Sequence, residues 1–351
     1  MFKKRILVMM LAIVLIFSIT ACGNGDSGEK AGILNIYMWS DYLSDDIVKD
    51  FEDEYNIKVN FAYMNTSEEA AAKLTSGGGS EYDLAMPCDI DMTALIKGGY
   101  LEEINLDNLT NLSNIGEAYI GREFDPENIY AIPYMMNYIY VVYNPETCPI
   151  EITEYEDLKS PELKGEITSV TGISNLFPMA LAASGLNPNS QDEEEIQVAY
   201  EWLRDYFKNV KSLQSDSTEQ DMLNGSCSVG YLFDGQASRA IEQNPNLLVA
   251  DLSDPIQLGF DNFVIPKGAK NKENAELFLN FILRAEVMAK NLLEVSYSCP
   301  NTAAVAIADE EYRNNPAINI PQHMKDNYFL LMDLGDSAVT YDKYWTQLLA
   351  E

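Results

Sequence analysis

The sequence predicts an α/β protein of two similar units with largely parallel sheets, preceded by an export leader. Two runs in which apolar strands alternate with amphipathic helices support this, one from residue 33 and one from about 165. Between them Tyr134–Tyr143 is rich in Tyr and β-branched residues, the composition of a crossing strand rather than a loose linker. The leader reads from the first residues, where Lys3, Lys4 and Arg5 precede an apolar run from Ile6 to Ile19.

That run is shorter than the roughly 20 apolar residues a spanning helix needs. Ile19-Thr20-Ala21-Cys22 follows it, and then the polar Gly23-Asn24-Gly25-Asp26-Ser27-Gly28. Residues 1–21 therefore read as a signal peptide, and Cys22 resembles the lipid-accepting Cys of a bacterial lipobox. Residues 22–32 read as a lipidated tether, since Gly, Ser and Asn bury too little surface to order themselves. Acyl chains on Cys22 would hold the protein at the cell membrane, on its extracytoplasmic side.

In the first unit, Ile33–Trp39 reads as a buried strand. Residues 44–55 place Ile47, Val48, Phe51 and Tyr55 at helical spacing. Ile57–Tyr63 alternates as a strand does. A helix over 67–75 begins at a Ser67 N-cap and stops at Gly77-Gly78-Gly79. Tyr82–Pro87 gives a further strand and 89–98 a further helix. The second unit repeats the plan, with strands at 165–170 and 227–233 and helices at 176–184, 192–208 and 235–243. No internal sequence repeat accompanies the resemblance between the units.

Composition excludes several functions. The net charge is −32, and loss of Lys3, Lys4 and Arg5 with the leader takes it to −35. Such a surface repels nucleic acid and anionic lipid. Cys88, Cys148, Cys227 and Cys299 are not spaced as zinc ligands, and a chain of this length does not need disulfides, so free thiols are expected. His323 is the one histidine and reads as a surface residue. No metal site, cofactor or catalytic group is expected. A carboxylate-based glycosidase is the competing enzyme class, but no acid pair has distinguishing context. A purely structural surface lipoprotein is a further alternative.

Ligands of open α/β sheets sit beyond the carboxyl ends of the strands. That rule selects Trp39, Ser40, Asp41 and Tyr42, then Cys88 and Asp89, then Thr171–Asn175, and Asp234. Aromatics and carboxylates collect there with hardly any Lys or Arg. Acids between rings suit an ammonium ligand, by ion pairing and cation–π attraction. An Asp directly after a strand also serves often as a helix cap.

Several segments then resemble a known family. They are Tyr37–Tyr42, Glu81–Pro87, Phe124–Tyr134, Asp261–Lys272, Ala275–Arg284 and Tyr297-Ser298-Cys299-Pro300-Asn301. In order and spacing they are similar to the spermidine/putrescine-binding proteins of bacterial ABC importers, over nearly the whole chain from Ile33. The resemblance implies a type II, two-lobed Venus-flytrap fold with mixed and parallel sheets. Residues 33–138 and 259–303 would form lobe 1; residues 139–258 and 304–351 would form lobe 2. It implies a monomer that captures a small cationic ligand and passes it to membrane permease subunits.

Carried over position by position, the family's cleft Trp, acid and Tyr fall on Trp39, Asp41 and Tyr42, and its amine-binding acid on Asp261. Its late Tyr falls on Tyr297, its lobe-two Ser on Ser215, and a lobe-two Trp on Phe233. Elsewhere the chain departs. A Ser and a Tyr are replaced by Cys88 and Ile90. Two acids fall on Gly172 and Asn175, and the Trp before Asp261 is lost in Gly259-Phe260. Missing acids remove countercharge that a buried triamine needs; Asp89 and Asp234 stand near enough to restore it. The same fold with an amino sugar, a cationic amino acid or a metal chelate is the alternative reading.

Overall fold

The computed structural model describes residues 32–350 apart from Asp41, Asn65, Thr66 and Asp216. Cys22, the leader expected over residues 1–21, and Asp41 lie outside the described residues.

Apolar periodicity builds the first unit. Strand β1 (Gly32–Met38) pairs in parallel with β2 (Ile57–Tyr63) on one side and β3 (Leu84–Ala85) on the other. Helix α1 (Asp45–Tyr55) joins the first two strands. Its start is fixed by Ser44, whose Oγ accepts the Ile47 N–H at 3.4 Å, and its end by Asn56 in the left-handed conformation. Ile47 and Phe51 point inward and are fully buried. Burial of side chains of this size contributes about 1.5–3 kcal/mol each. Helix α2 (Ser67–Thr75) joins β2 to β3, and α3 (Asp89–Lys97) follows β3. A small ribbon pairs β4 (Leu101–Glu102) with a later strand.

Strand β5 (Ile132–Tyr143) is the expected crossing strand, with 12 residues. The second unit then supplies β6 (Ile167–Val170), α4 (Ile173–Ala183), α5 (Glu193–Phe207), β7 (Val210–Gln214), β8 (Val229–Phe233) and α6 (Asp234–Gln243). After β9 (Leu248–Val249) the chain returns along β10 (Ile256–Phe263), antiparallel to β5. Strand β11 (Ile265–Pro266) closes the ribbon with β4. Helices α7 (Lys272–Ile282) and α8 (Ala285–Val295), strand β12 (Tyr328–Leu330) and helix α9 (Ala338–Ala350) complete the labelled elements. The large sheet is mixed, in the order β12-β10-β5-β8-β6-β7, with β9 also on β5. Strands β6, β7 and β8 are mutually parallel, as are β10 and β12.

Two hydrophobic cores result. The first takes buried residues from Leu34 to Met135 and from Phe263 to Tyr312. The second takes Met136 to Phe260 and Ala317 to Leu348. Strands β5 and β10 run through both, the change falling at Met135/Met136 on one and between Phe260 and Phe263 on the other. Tyr119 and Phe233 pack against both cores.

Three local expectations need correction. Ser67 is the first residue of α2 rather than its cap, and its hydroxyl donates to the Asp91 carboxylate. The strand expected over Tyr82–Pro87 is paired only at Leu84–Ala85: the Tyr82 N–H closes a 3₁₀ turn onto the Gly79 carbonyl, and Pro87 has no N–H to give. Helix α4 begins at Ile173, three residues early, because the Asn175 and Leu176 N–H groups bond to the Gly172 carbonyl. Cys88, Cys148, Cys227 and Cys299 are free thiols, and His323 is exposed beside Asp251, 2.9 Å away.

Candidate functional site

The site is built around one buried carboxylate. Asp261 sits on β10 at a register shift against β5, and it bridges across to Cys88 beyond the end of β3. It is 1% exposed. Trp39 Nε1 and Cys88 Sγ donate to its Oδ1 at 3.1 and 2.9 Å. Tyr42 Oη and Asn137 Nδ2 donate to its Oδ2, both at 2.8 Å. All four donors are uncharged. Burial raises the Asp261 pKa, and the four hydrogen bonds oppose that rise. Burial, with the Asp261 charge next, pushes the Cys88 thiol and the Tyr42 phenol well above their usual values, so both stay protonated as donors.

Local sequence explains the convergence. Trp39 and Tyr42 follow β1, Cys88 precedes α3, and Asn137 lies on β5 opposite Gly259. A Cβ at position 259 would collide with the Asn137 carboxamide, so Gly259 is what admits that side chain. The Tyr297 ring meets Tyr42 edge-on at 4.7 Å. It also lies against Gly235, where an added Cβ would come within 2.5 Å of the ring.

Two further acids stand nearby. Asp234 opens α6 and is fully buried; its Oδ2 accepts the Ser298 N–H at 2.9 Å. Burial raises its pKa to about 7 against these hydrogen bonds. Asp89 opens α3, with Arg122 Nη2 2.8 Å from its Oδ2 and Asn262 Nδ2 donating to its Oδ1 at 2.8 Å. Burial raises its pKa to about 6, with the Arg122 charge pulling the other way. The Arg122 guanidinium stacks over Phe260 at 4.4 Å.

A family model for bacterial extracellular solute-binding proteins matches residues 46–320. The chain belongs to that family. It is a family of solute-binding proteins, not of enzymes. Among relatives, the spermidine/putrescine-binding periplasmic protein of Salmonella typhimurium is 29% identical over 318 residues, which cover 90% of this chain and 91% of that protein. The putrescine-binding periplasmic protein PotF of Escherichia coli is 28% identical over 335 residues, 90% of each chain. A spermidine/putrescine ABC transporter substrate-binding protein from Streptococcus pneumoniae has a solved structure with a TM-score of 0.76 at 26% identity, covering 90% of this chain and 100% of that one. The two-lobed α/β fold and the resemblance read from the motifs agree with these matches. Among the described residues no helix is long and apolar enough to cross a membrane.

Within this solute-binding protein, Trp39, Tyr42, Cys88, Asp261 and Tyr297 come together. Asp89 and Phe260 meet through Arg122 instead. Ser40 and Ser215 are exposed. Asn175 lies in the first turn of α4, its Nδ2 turned back to the Thr171 carbonyl at 2.7 Å. Phe233 is half-buried between the cores. Asn137 and Arg122 escaped the sequence reading. An amide inside the apolar run Ile132–Tyr143 was the available signal for Asn137; Arg122, in Gly121-Arg122-Glu123, had none.

Proposed function

We propose that the protein captures a small amine of the putrescine or spermidine kind in an aromatic, acidic cleft and delivers it to ABC permease subunits. The reading rests chiefly on the buried Asp261 carboxyl group among Trp39, Tyr42 and Tyr297, which has only neutral donors around it. An ammonium group answers such a site, pairing with the carboxylate while the rings contribute cation–π attraction. The names of the relatives point to the same ligand class. The two cores would act as lobes, hinged where β5 and β10 pass from one to the other, and ligand would be enclosed as they close. The protein would work as a monomer, held outside the cell membrane by lipid on Cys22.

A second reading keeps the fold and changes the ligand. Asp261 already accepts four hydrogen bonds, and Gly172 and Asn175 bring no charge. An amino sugar, a cationic amino acid or a chelate would need less countercharge than a triamine. Thermal-shift screening of putrescine and spermidine against those classes separates the two, because a ligand of the folded state raises its Tm. A shift with amines alone supports the first reading, and a shift only with another class replaces it.

A further inference from the structure

Asp89 and Phe260, both candidates for ligand contact, already hold a cation that belongs to the chain. The Arg122 guanidinium lies 2.8 Å from Asp89 Oδ2 and 4.4 Å above the Phe260 ring, with Phe124 at 6.0 Å. Both partners are shielded: the side chains of Arg122 and Asp89 are 16% and 9% exposed. Asn262 closes the other carboxylate oxygen at 2.8 Å. The turn that carries Arg122 is fixed. Asp125 N–H bonds to the Arg122 carbonyl, and the Asp125 carboxylate accepts the N–H groups of Ile129, Tyr130 and Ala131 at 3.1, 2.8 and 2.9 Å. A carboxylate and a ring face around one cation is the chemistry by which proteins hold alkylammonium groups. Asp89 is also the chain neighbour of Cys88, which donates to Asp261.

We propose that Asp89 and Phe260 form a second cation subsite beside the Asp261 site, and that Arg122 fills it from within. Arg122 thereby sets how many ammonium groups of a ligand the protein pairs, by keeping Asp89 from that task. This rests on the amine reading above and makes Arg122 a determinant of ligand choice. A structural ion pair at the same place would hold the 122 turn to α3 and leave selectivity among amines untouched.

Calorimetric titration of the full chain with putrescine and with butylamine, which shares its carbon stem but has one ammonium, separates these roles. Emptying the subsite with R122Q should raise the preference for putrescine over butylamine roughly tenfold or more relative to wild type. R122M, whose stem still covers Phe260, should do the same if R122Q folds poorly. Adding D89N to either variant should remove the gain. An unchanged preference overturns the proposal, as does a parallel change for both amines or a folded variant that binds neither. Wild type that binds no amine beside an R122Q that binds putrescine would keep the subsite and sink the amine reading of Asp261.

Discussion

Replacing Asp261 with Asn removes an ionisable carboxyl group from the centre of the site and little volume. Asp261 is 1% exposed, so solvent screens it weakly, and its hydrogen-bond donors Trp39, Tyr42, Cys88 and Asn137 are neutral. An ammonium bound there would lose the buried countercharge it pairs with, at a cost of roughly 3–5 kcal/mol. At about 1.4 kcal/mol per decade, the dissociation constant for putrescine should rise by roughly two to three and a half decades. Trp39→Phe removes one of the four donors and keeps a ring face; its loss is part of a cation–π attraction of about 0.5–2 kcal/mol, roughly one decade. The Asn variant also leaves its amide facing two former donors. The Cys88 thiol and the Tyr42 hydroxyl can rotate to accept and the Asn137 carboxamide can flip to do so, but the Trp39 N–H cannot, so the new amide should settle toward Tyr42 and Asn137 and the loss of stability should stay within about 1–3 kcal/mol. Thermal melting monitors that loss, and calorimetry on the folded variant reads the affinity. Equal affinities for wild type and Asp261→Asn would refute the placement of the ligand charge.

Asp234 should make the ligand-free protein less stable as pH rises: its folded pKa of about 7 lies above its unfolded value, so the folded state binds the extra proton and stability falls between about pH 4 and 7. The slope approaches about 1.4 kcal/mol per pH unit, and Asp234→Asn should flatten it in thermal melts across that range. Gly235→Ala should displace Tyr297 and cost about 1–3 kcal/mol, read as a lower Tm together with weakened ligand binding; an unchanged Tyr297 environment by near-UV circular dichroism counts against the packing described. Cys22→Ala should release the protein from the membrane fraction, whereas a variant as firmly attached as wild type removes the lipid anchor. Saturating ligand should shrink the radius of gyration in small-angle scattering at constant secondary structure; an unchanged radius argues against hinge closure.

Much of the fold was legible because its period is local. Ile47 and Phe51 on α1, and Leu34 and Ile36 on β1, declare their buried faces by spacing alone. The crossing strand β5 announced itself by composition. What failed was decided by single hydrogen bonds: Ser67 caps nothing because Asp91 takes its hydroxyl, and α4 starts early because Gly172, with φ 117, turns its carbonyl onto the Asn175 and Leu176 N–H groups. In the site, Trp39, Tyr42 and Asp261 were reached through strand ends and motif order. Asn137 and Arg122 were not, because their roles depend on residues far along the chain, Gly259 and Asp261 for one, Asp89 and Phe260 for the other. Asp89 and Asp234 looked equally available as countercharges. The structure separates them: Arg122 pairs with Asp89, while Asp234 is fully buried with its carboxylate on the Ser298 N–H.

Titration calorimetry of the wild-type chain with putrescine and spermidine tests the amine-capture reading most directly. The expected result is saturable one-to-one binding of at least one of the two, micromolar or tighter, with the smaller diamine favoured because Arg122 occupies Asp89 and Gly172 and Asn175 bring no charge. No binding of either amine, alongside clear binding of an amino sugar, a cationic amino acid or a chelate, would contradict it.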